Sequence, residues 1–217
     1  GTDVISRPFR YELELVSRLP DIDAGAVLRA HAFWAIKQGM SMAGGGRGIR
    51  TVRTHGILAS FRQSEQGKDW VAYQAVLVPR FWRLSWSRRS RIFLDKSVVE
   101  IVRSILEEAQ LTTDDFEFRL GNREYPRREY VVQYHETDLD FVSRLLEHEG
   151  IWFYFRQEED RDLVVFSDAA TGPDAGSVPY RPMRISASAE PPDWFLPESI
   201  RAFSCEQRTL PAEVVLR

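Results

Sequence analysis

Alternating hydrophobic and polar positions predict β-strands in the first 80 residues. Apolar side chains recur at every second position from Phe9 to Leu15 and from Trp70 to Val78, and Thr51 to Gln63 is a third, longer strand candidate. This period is typical of strands with one buried face. His31 to Lys37 is a weaker strand candidate, and Ala24 to Ala30 fits one or two helical turns. Because polar turns join the strands, the pattern favours an antiparallel barrel or meander over a parallel sheet.

A helix between two strands is predicted from Tyr130 to Phe155. The strand alternation ends at Thr137, whose hydroxyl is placed to cap a helix. Gly150 is placed to end that helix in a left-handed conformation. We therefore expect a helix from about Asp138 to Glu149. Its core-facing stripe is formed by apolar residues at spacings of three and four, namely Leu139, Phe141, Val142, Leu145 and Leu146.

Two finer contacts follow from the spacing of this helix. Asp140 precedes Arg144 by four residues, the better orientation for an ion pair on one helix face. If the helix ends at Gly150, Ile151 falls where it touches Leu146, as in a Schellman ending.

A second helix is predicted to begin after Ser97. Ser97 and Glu100 have the spacing of a capping box. Short strands are expected from Phe116 to Leu120 and from Leu163 to Phe166. The order from Ser97 to Asp168 is therefore helix, strand, strand, helix, strand, strand, which indicates a compact α+β module with its own core.

Glycine and proline mark the segments that lack a regular pattern. Gly39 to Gly48 holds five glycines and predicts a hairpin loop, and it lacks the Lys-Ser/Thr end of a phosphate-binding loop. Gly56 suggests a β-bulge. Thr171 to Pro197 is expected to be an extended crossing segment, and Ile200 to Arg208 a strand that returns to the barrel.

These elements predict a fold that is mainly β with an α+β insertion. We expect a first antiparallel β-barrel over residues 1–95, a small α+β module over 96–170, and a crossing segment with its strand over 171–217.

The composition is that of a globular protein. Hydrophobic residues make up 43 % of the 217 residues and charged residues 28 %. The net charge of −3 argues against global attraction to nucleic acid. The single cysteine, Cys205, excludes an internal disulfide. No apolar run approaches the roughly 20 residues that span a bilayer, and no signal-peptide core is present at the start.

Candidate reaction centres are weak. His135 and His148 lie thirteen residues apart, whereas zinc-binding helices place two histidines four apart. Cys205 has no flanking nucleophile pattern. Two pairs of carboxylates are adjacent in sequence, Glu107 with Glu108 and Asp114 with Asp115. Adjacent residues of a helix point in different directions, so these pairs do not imply general acid–base catalysis. We therefore predict no catalytic, cofactor-binding or metal-binding residues and no enzyme.

Arginines and aromatic residues are interleaved from Arg80 to Arg91. Such a stretch can bind single-stranded nucleic acid, because bases stack on the aromatic rings and the arginines neutralise the phosphates. The simpler interpretation is a charged edge or subunit contact in which arginine stems cover Trp82 and Trp86. Five arginines occupy this stretch: Arg80, Arg83, Arg88, Arg89 and Arg91.

The string V-Q-Y-x-E-T-D-x-x-F-x-x-R-L-x-E-x-E-G-I, from Val132 to Ile151, resembles the VgrG spike proteins of type VI secretion and the tail hub proteins of contractile phages. The resemblance extends along most of the chain. It includes the strand from Phe9 to Leu15, the helix from Ser97 and the position of Asp168. Two shorter patterns also match, Arg53 with Gly56 and Phe61, and Pro79 with Trp82 and Leu84.

This resemblance implies a structural hub of a contractile injection machine. Family members continue with a second barrel, an OB-fold and a β-prism spike, so we expect these residues to be the N-terminal part of a longer protein. The complete protein is expected to be a homotrimer that meets a hexameric Hcp-like tube, baseplate proteins, a spike-tip protein and effectors or adaptors. It would assemble in the bacterial cytoplasm and leave by sheath contraction, touching the target membrane only through its spike.

Three alternatives stay open. The hub could belong to a contractile phage or tailocin instead of a secretion system. The chain could be a nucleic-acid-binding β-barrel that uses Arg80 to Arg91, or a hydrolase that uses His135 or His148.

Overall fold

The structure is a computed structural model that describes residues 1–41, 47–170 and 172. A 3-10 helix, Arg80–Ser85, lies between the fourth and fifth strands. The strands and α-helices follow in this order: β1 Tyr11–Ser17, α1 Ala24–Arg29, β2 His31–Ser41, β3 Arg47–Gln66, β4 Val71–Val78, β5 Arg88–Lys96, α2 Val98–Glu108, β6 Phe116–Arg119, β7 Arg128–Thr137, α3 Asp138–Glu149, β8 Trp152–Gln157 and β9 Asp162–Ser167.

The chain forms two compact units. The first contains Gly1–Ala35 and Arg53–Gly172, and the second contains Ile36–Val52 and Pro173–Arg217. All the described helices lie in the first unit. Of the second unit the structure describes 36–41 and 47–52, which belong to β2 and β3.

Four strands form one sheet in the order β1-β4-β3-β2. β1 and β3 both pair antiparallel with β4, as the polar turns between the predicted strands indicated. β1 lies at one edge of this sheet, and none of its seven residues is buried.

Gly56 is required where β3 approaches the end of β4. A Cβ atom there would lie 2.2 Å from the carbonyl oxygen of Val78, so any side chain would force the backbones apart. The pairing of β3 with β4 begins at Ile57, next to Gly56, so the bulge predicted at Gly56 stays a prediction. The register shifts of this pairing lie between Leu58 and Ser60 and between Gln63 and Glu65.

The remaining strands surround the two longer helices. β6, β9 and β8 form a three-stranded sheet in which β6 runs parallel and β8 antiparallel to β9. β5 and β7 form a two-stranded antiparallel ribbon. β5 was not among the predicted strands, and the predicted domain boundary at residue 95 falls inside it. The division into 1–95, 96–170 and 171–217 stays a prediction.

Two hydrophobic clusters lie in the first unit. The smaller, the sheet core, consists of Phe9, Leu58, Ala75 and Leu77. The larger, the helical core, fills the space between the helices, the 3-10 helix and the strands from β5 to β9. Its most enclosed side chains include Phe81, Ile101, Val102, Phe141, Val142, Leu145 and Leu146. The apolar stripe predicted for α3 is therefore confirmed.

The predicted helix ends are also confirmed. Ser97 and Glu100 form a reciprocal capping box at α2. Thr137 Oγ1 accepts the Asp140 amide at 3.0 Å at the start of α3. Gly150 has φ of 71°, and the Ile151 amide donates to the Leu146 carbonyl at 2.8 Å.

One predicted helix contact is wrong. Arg144 does not pair with Asp140. Its Nε instead donates to Glu136 Oε2 at 2.9 Å, and its Nη2 to the Val132 carbonyl at 2.7 Å. Asp140 is held at the helix start, where its carboxylate accepts the Thr137 hydroxyl at 2.6 Å.

Other predictions fall partly or wholly outside the described residues. Of the glycine-rich stretch, Gly39–Ser41 lies in β2 and Arg47–Gly48 in β3, while 42–46 are outside the described residues. The crossing segment from Thr171, apart from Gly172, and the strand from Ile200 to Arg208 are also outside them.

Candidate interaction surface

The two faces of the β5–β7 ribbon carry different side chains. Ile92 lies opposite Val132 and Leu94 opposite Tyr130, while Phe93 between them lies opposite Val131. Successive side chains of a strand point to opposite faces. The ribbon therefore presents one face to the helical core and the other to solvent.

The inner face is fixed by packing and by buried hydrogen bonds. Phe93 stacks on Phe141 of α3 with ring centroids 5.6 Å apart. Gln133 is fully buried, and its amide nitrogen donates to Asp138 Oδ1 at 2.8 Å. Arg91 Nε donates to Gln133 Oε1 at 2.8 Å. These bonds satisfy groups whose burial would otherwise be costly, and they fix the orientation of the ribbon on α3.

The outer face is apolar and exposed. We call its five side chains the ribbon surface: Ile92, Leu94, Tyr130, Val132 and Tyr134. They are 63 %, 66 %, 63 %, 39 % and 70 % exposed. Proteins seldom leave neighbouring large apolar side chains in water, and a contiguous patch of them marks an interaction site. The ribbon surface is therefore the best candidate for a contact with another chain.

The ribbon contains an irregularity next to this surface. Arg89 lies opposite Glu136, and Arg91 lies opposite Gln133. Between these pairs β5 has one residue, Ser90, whereas β7 has two, Tyr134 and His135. His135 adopts φ of 48°, which non-glycine residues seldom do, and its amide donates to Ser90 Oγ at 3.1 Å. Bulges of this kind increase strand twist and redirect side chains. Here the bulge follows Tyr134, at the end of the ribbon surface.

The arginine-rich stretch does not form a basic surface for nucleic acid. Arg80 lies 2.7 Å from Asp115 and 3.1 Å from Asp162, whose side chain is almost fully buried. Burial raises the pKa of Asp162, although the bonds from Arg80 oppose that shift. Arg80 therefore neutralises acids inside the fold.

Three further arginines of the stretch have partners within the chain. Arg89 and Arg91 lie 2.8 Å and 2.6 Å from Glu108 of α2, and Arg91 also lies 3.1 Å from Asp138. Arg88 donates to the His135 carbonyl. Three of the five charges are thus paired with acids and a fourth guanidinium is hydrogen-bonded to a carbonyl, which weakens the observation that supported a nucleic-acid-binding barrel.

The two candidate histidines are not brought together. His135 lies on the ribbon bulge, whereas His148 is on the last turn of α3 with its side chain 72 % exposed. Within the part of the chain that the structure describes, no group of three or more metal-binding side chains occurs. Cys205 lies outside that part.

The neighbouring carboxylates have structural partners. Asp115 accepts the Thr112 amide at 2.8 Å and pairs with Arg80, while Asp114 lies 3.6 Å from Arg161. Glu108 pairs with Arg89 and Arg91 of β5. These contacts give three of the four acids a structural partner. No helix in the described ranges is long and apolar enough to cross a membrane.

Comparison with known proteins identifies the family. Residues 2–217 match the phage tail baseplate hub (GPD) family. This chain belongs to that family. The resemblance that the motif from Val132 to Ile151 indicated is therefore confirmed.

The relatives of this chain include spike proteins of type VI secretion. The chain is 41 % identical over 171 residues to the type VI secretion system spike protein VgrG4b of Pseudomonas aeruginosa, a match that covers 79 % of this chain and 20 % of that protein. It is 35 % identical over 162 residues to the actin cross-linking toxin VgrG1 of Vibrio cholerae, covering 75 % of this chain and 14 % of the toxin. The chain thus spans a fifth or less of these relatives.

A solved structure supports the predicted fold class. The Escherichia coli c3393 protein superposes with a TM-score of 0.68 at 34 % identity, covering 84 % of this chain and 47 % of that one. That protein is described as a component of the type VI secretion system, similar in structure to the T4 bacteriophage tail proteins gp27 and gp5. The prediction of a mainly β, tail-hub-like fold with a small α+β part is confirmed.

Asp168, one of the positions that carried the family resemblance, has a structural role. Its Oδ1 accepts the Gly121 amide at 2.8 Å and its Oδ2 accepts the Tyr125 hydroxyl at 2.9 Å. The bond from the Gly121 amide lowers the pKa of Asp168, while burial and Asp168 raise the pKa of Tyr125 to about 12. Asp168 therefore holds the turn that leads into β7.

Proposed function

We propose that this chain is the tail hub region of a type VI secretion spike protein. The observation that carries the proposal is the family match along residues 2–217, joined to 41 % identity with a spike protein. Because the chain spans only part of its relatives, the activity of the complete protein belongs to the proposal. A phage or tailocin hub is the alternative within the same family.

The proposed function needs rigid contacts and no reaction centre. In the complete protein three copies would form a platform between a hexameric tube protein and a membrane-puncturing spike, and would help to carry effectors. Assembly would take place in the bacterial cytoplasm, and export would follow sheath contraction. The match to the toxin covers 14 % of its length, so the likeness supports a shared hub and brings no toxin activity to this chain.

The ribbon surface supplies a physical reason for assembly. Its five exposed apolar side chains gain free energy when another surface removes them from water, at roughly 25 cal/mol per Å². A stable interface usually buries about 1,200–2,000 Å² in total, more than one two-stranded ribbon supplies. We therefore propose the ribbon surface as one of several subunit contacts.

Light scattering on the complete spike protein tests both parts of the proposal. The parent protein is expected to have the mass of three chains. The double substitution Leu94→Asp and Tyr130→Asp places two charges side by side on the ribbon surface, so the mass should fall toward one chain with an unchanged circular dichroism spectrum. Glu129→Gln, an exposed change on the same strand, is the matched control and should stay trimeric.

The possible outcomes separate the two claims. A monomeric parent protein at micromolar concentration would contradict the hub proposal. A trimeric parent with an equally trimeric double variant would leave the hub proposal standing and exclude the ribbon surface from the contact. The 217-residue chain alone is expected to be monomeric or weakly self-associating, because it holds only part of the proposed interface.

A further inference from the structure

One histidine that sequence analysis passed over is buried in an unusual way. His55 of β3 is 3 % exposed. Within the described part of the chain, neither Nδ1 nor Nε2 of its ring has a hydrogen-bond partner. Buried polar groups are nearly always paired, and a neutral imidazole still carries one donor and one acceptor. Packing alone therefore does not explain why the His55 ring is buried without a hydrogen-bond partner among the described residues.

His55 lies where three strands meet. Its ring stacks on His31 of β2 with centroids 5.2 Å apart and planes 13° apart, and it lies 5.3 Å from the ring of Phe33. Its backbone amide donates to Gln157 Oε1 of β8 at 2.8 Å. One residue thus connects β2 and β3 of the four-stranded sheet with the three-stranded sheet.

The surroundings of the ring favour its neutral form. Burial lowers the pKa of His55 most, and the positive charges of His31 and Arg53 lower it further. Asp160 and Asp162 act in the opposite direction, but Asp162 is already paired with Arg80. Neither aspartate hydrogen-bonds to the ring, so among the described residues no side chain would accept a hydrogen bond from a protonated His55 where it is buried.

We propose that His55 is an acid-sensitive contact whose protonation loosens the junction of β2, β3 and β8. The ring takes one proton from solvent and becomes a cation stacked on a second imidazole. It regains hydration only by leaving the stack, which separates it from His31 and strains the bond between its amide and Gln157. This inference is independent of the proposed function, since it rests on the first unit alone.

The direction of the pH effect follows from linkage. The folded chain holds the pKa of His55 below its ordinary value of about 6.5, so the unfolded chain binds this proton first as pH falls. The stabilising contribution is complete above about pH 6.5 and is lost below it. One such proton lowers the folding equilibrium constant by at most about tenfold for each pH unit.

Urea denaturation of the 217-residue chain between pH 8 and pH 5 tests the proposal. Wild type should lose stability below about pH 6.5. His55→Phe keeps a ring in the stack and removes the titrating group. Below about pH 6.5 its folding equilibrium constant should therefore fall less steeply than that of wild type, by up to about tenfold per pH unit. His148→Gln removes an exposed histidine and should keep the wild-type slope. Equal slopes in all three proteins would overturn the proposal.

A measurement on the unaltered chain covers the case in which His55→Phe does not fold. Nuclear magnetic resonance of the imidazole carbons should show that the His55 ring stays neutral below the ordinary histidine pKa of about 6.5. Acidification should then accelerate hydrogen exchange of amides next to His55 before those of α3. A His55 ring that takes up its proton at or above that value, with no local change in exchange, would overturn the proposal.

Discussion

The ribbon surface and the opposite face of the ribbon, which packs against the helical core, belong to the same two strands but differ in exposure. On the inner face of the ribbon, Phe93 is 8 % exposed and stacks on Phe141. On the outer face, its neighbours Ile92 and Leu94 are 63 % and 66 % exposed. Inner apolar side chains stabilise the folded chain, whereas the outer ones keep much of their area in water and gain less from folding. The apolar character of the outer face is therefore best explained by a contact with another chain.

The largest expected effect compares a leucine from each region. Leu145 of α3 is 2 % exposed, and Leu145→Ala removes buried methyl groups from the helical core. We expect a loss of about 2–5 kcal/mol in the free energy of unfolding, seen as a lower urea midpoint. Leu94→Ala on the ribbon surface should change it by less than about 0.5 kcal/mol. Similar losses from both changes would show that the two faces do not differ.

A smaller effect is expected from the polar group beneath the ribbon. Gln133→Ala removes the amide that bonds Asp138 and Arg91, and it leaves a buried carboxylate with fewer donors. The expected cost is about 1–3 kcal/mol in the free energy of unfolding. Glu129→Ala, an exposed change on the same strand, is the control. A neutral Gln133→Ala would mean that packing alone orients the ribbon.

The ion pair between Arg144 and Glu136 at the end of β7 should contribute less to the free energy of unfolding, and its contribution should depend on pH. The hydrogen bond from Arg144 lowers the pKa of Glu136, so the pair stabilises the fold above the ordinary glutamate pKa of about 4.3. This contribution is lost as pH falls through the lowered value. Because both groups are partly solvated, Glu136→Gln should cost no more than about 1 kcal/mol at pH 7. Denaturation at pH 7 and pH 3 checks this, and a difference that persists at pH 3 would contradict it.

His148→Ala should have the smallest effect. The side chain is 72 % exposed at the end of α3, where its Nδ1 lies 3.1 Å from Nη2 of Arg128. Because this contact is exposed, the free energy of unfolding from urea denaturation at pH 7 should change by no more than about 0.5 kcal/mol. A loss as large as that of Leu145→Ala would contradict this expectation.

The sequence predicted best where the signals were local. Three local signals predicted α3 with the bounds that the structure has: the cap at Thr137, the stripe through Leu145 and the left-handed Gly150. Each of these signals acts within a few residues, so tertiary contacts did not alter them. Arg144 was mispredicted because its partner Glu136 lies before the helix, outside the spacing rule that favoured Asp140.

The candidate surface and the buried histidine could not be predicted in the same way. β5 is apolar on both faces from Ile92 to Leu94, so it lacks the alternation of a half-buried strand, and its arginines suggested a basic stretch. His55 begins a run of four buried residues in β3, which alternation does not foresee. Both features depend on pairing with residues distant in sequence.

The most direct test of the proposed role is hydrogen exchange in the isolated 217-residue chain and in the complete spike protein. Amides of α2 and α3 should be equally protected in both, since the helical core is complete within the chain. Amides of β5 and β7 should exchange more slowly in the complete protein, where another subunit would cover the ribbon surface. Equal exchange of β5 and β7 in the two proteins would contradict the claim that this surface is used for assembly.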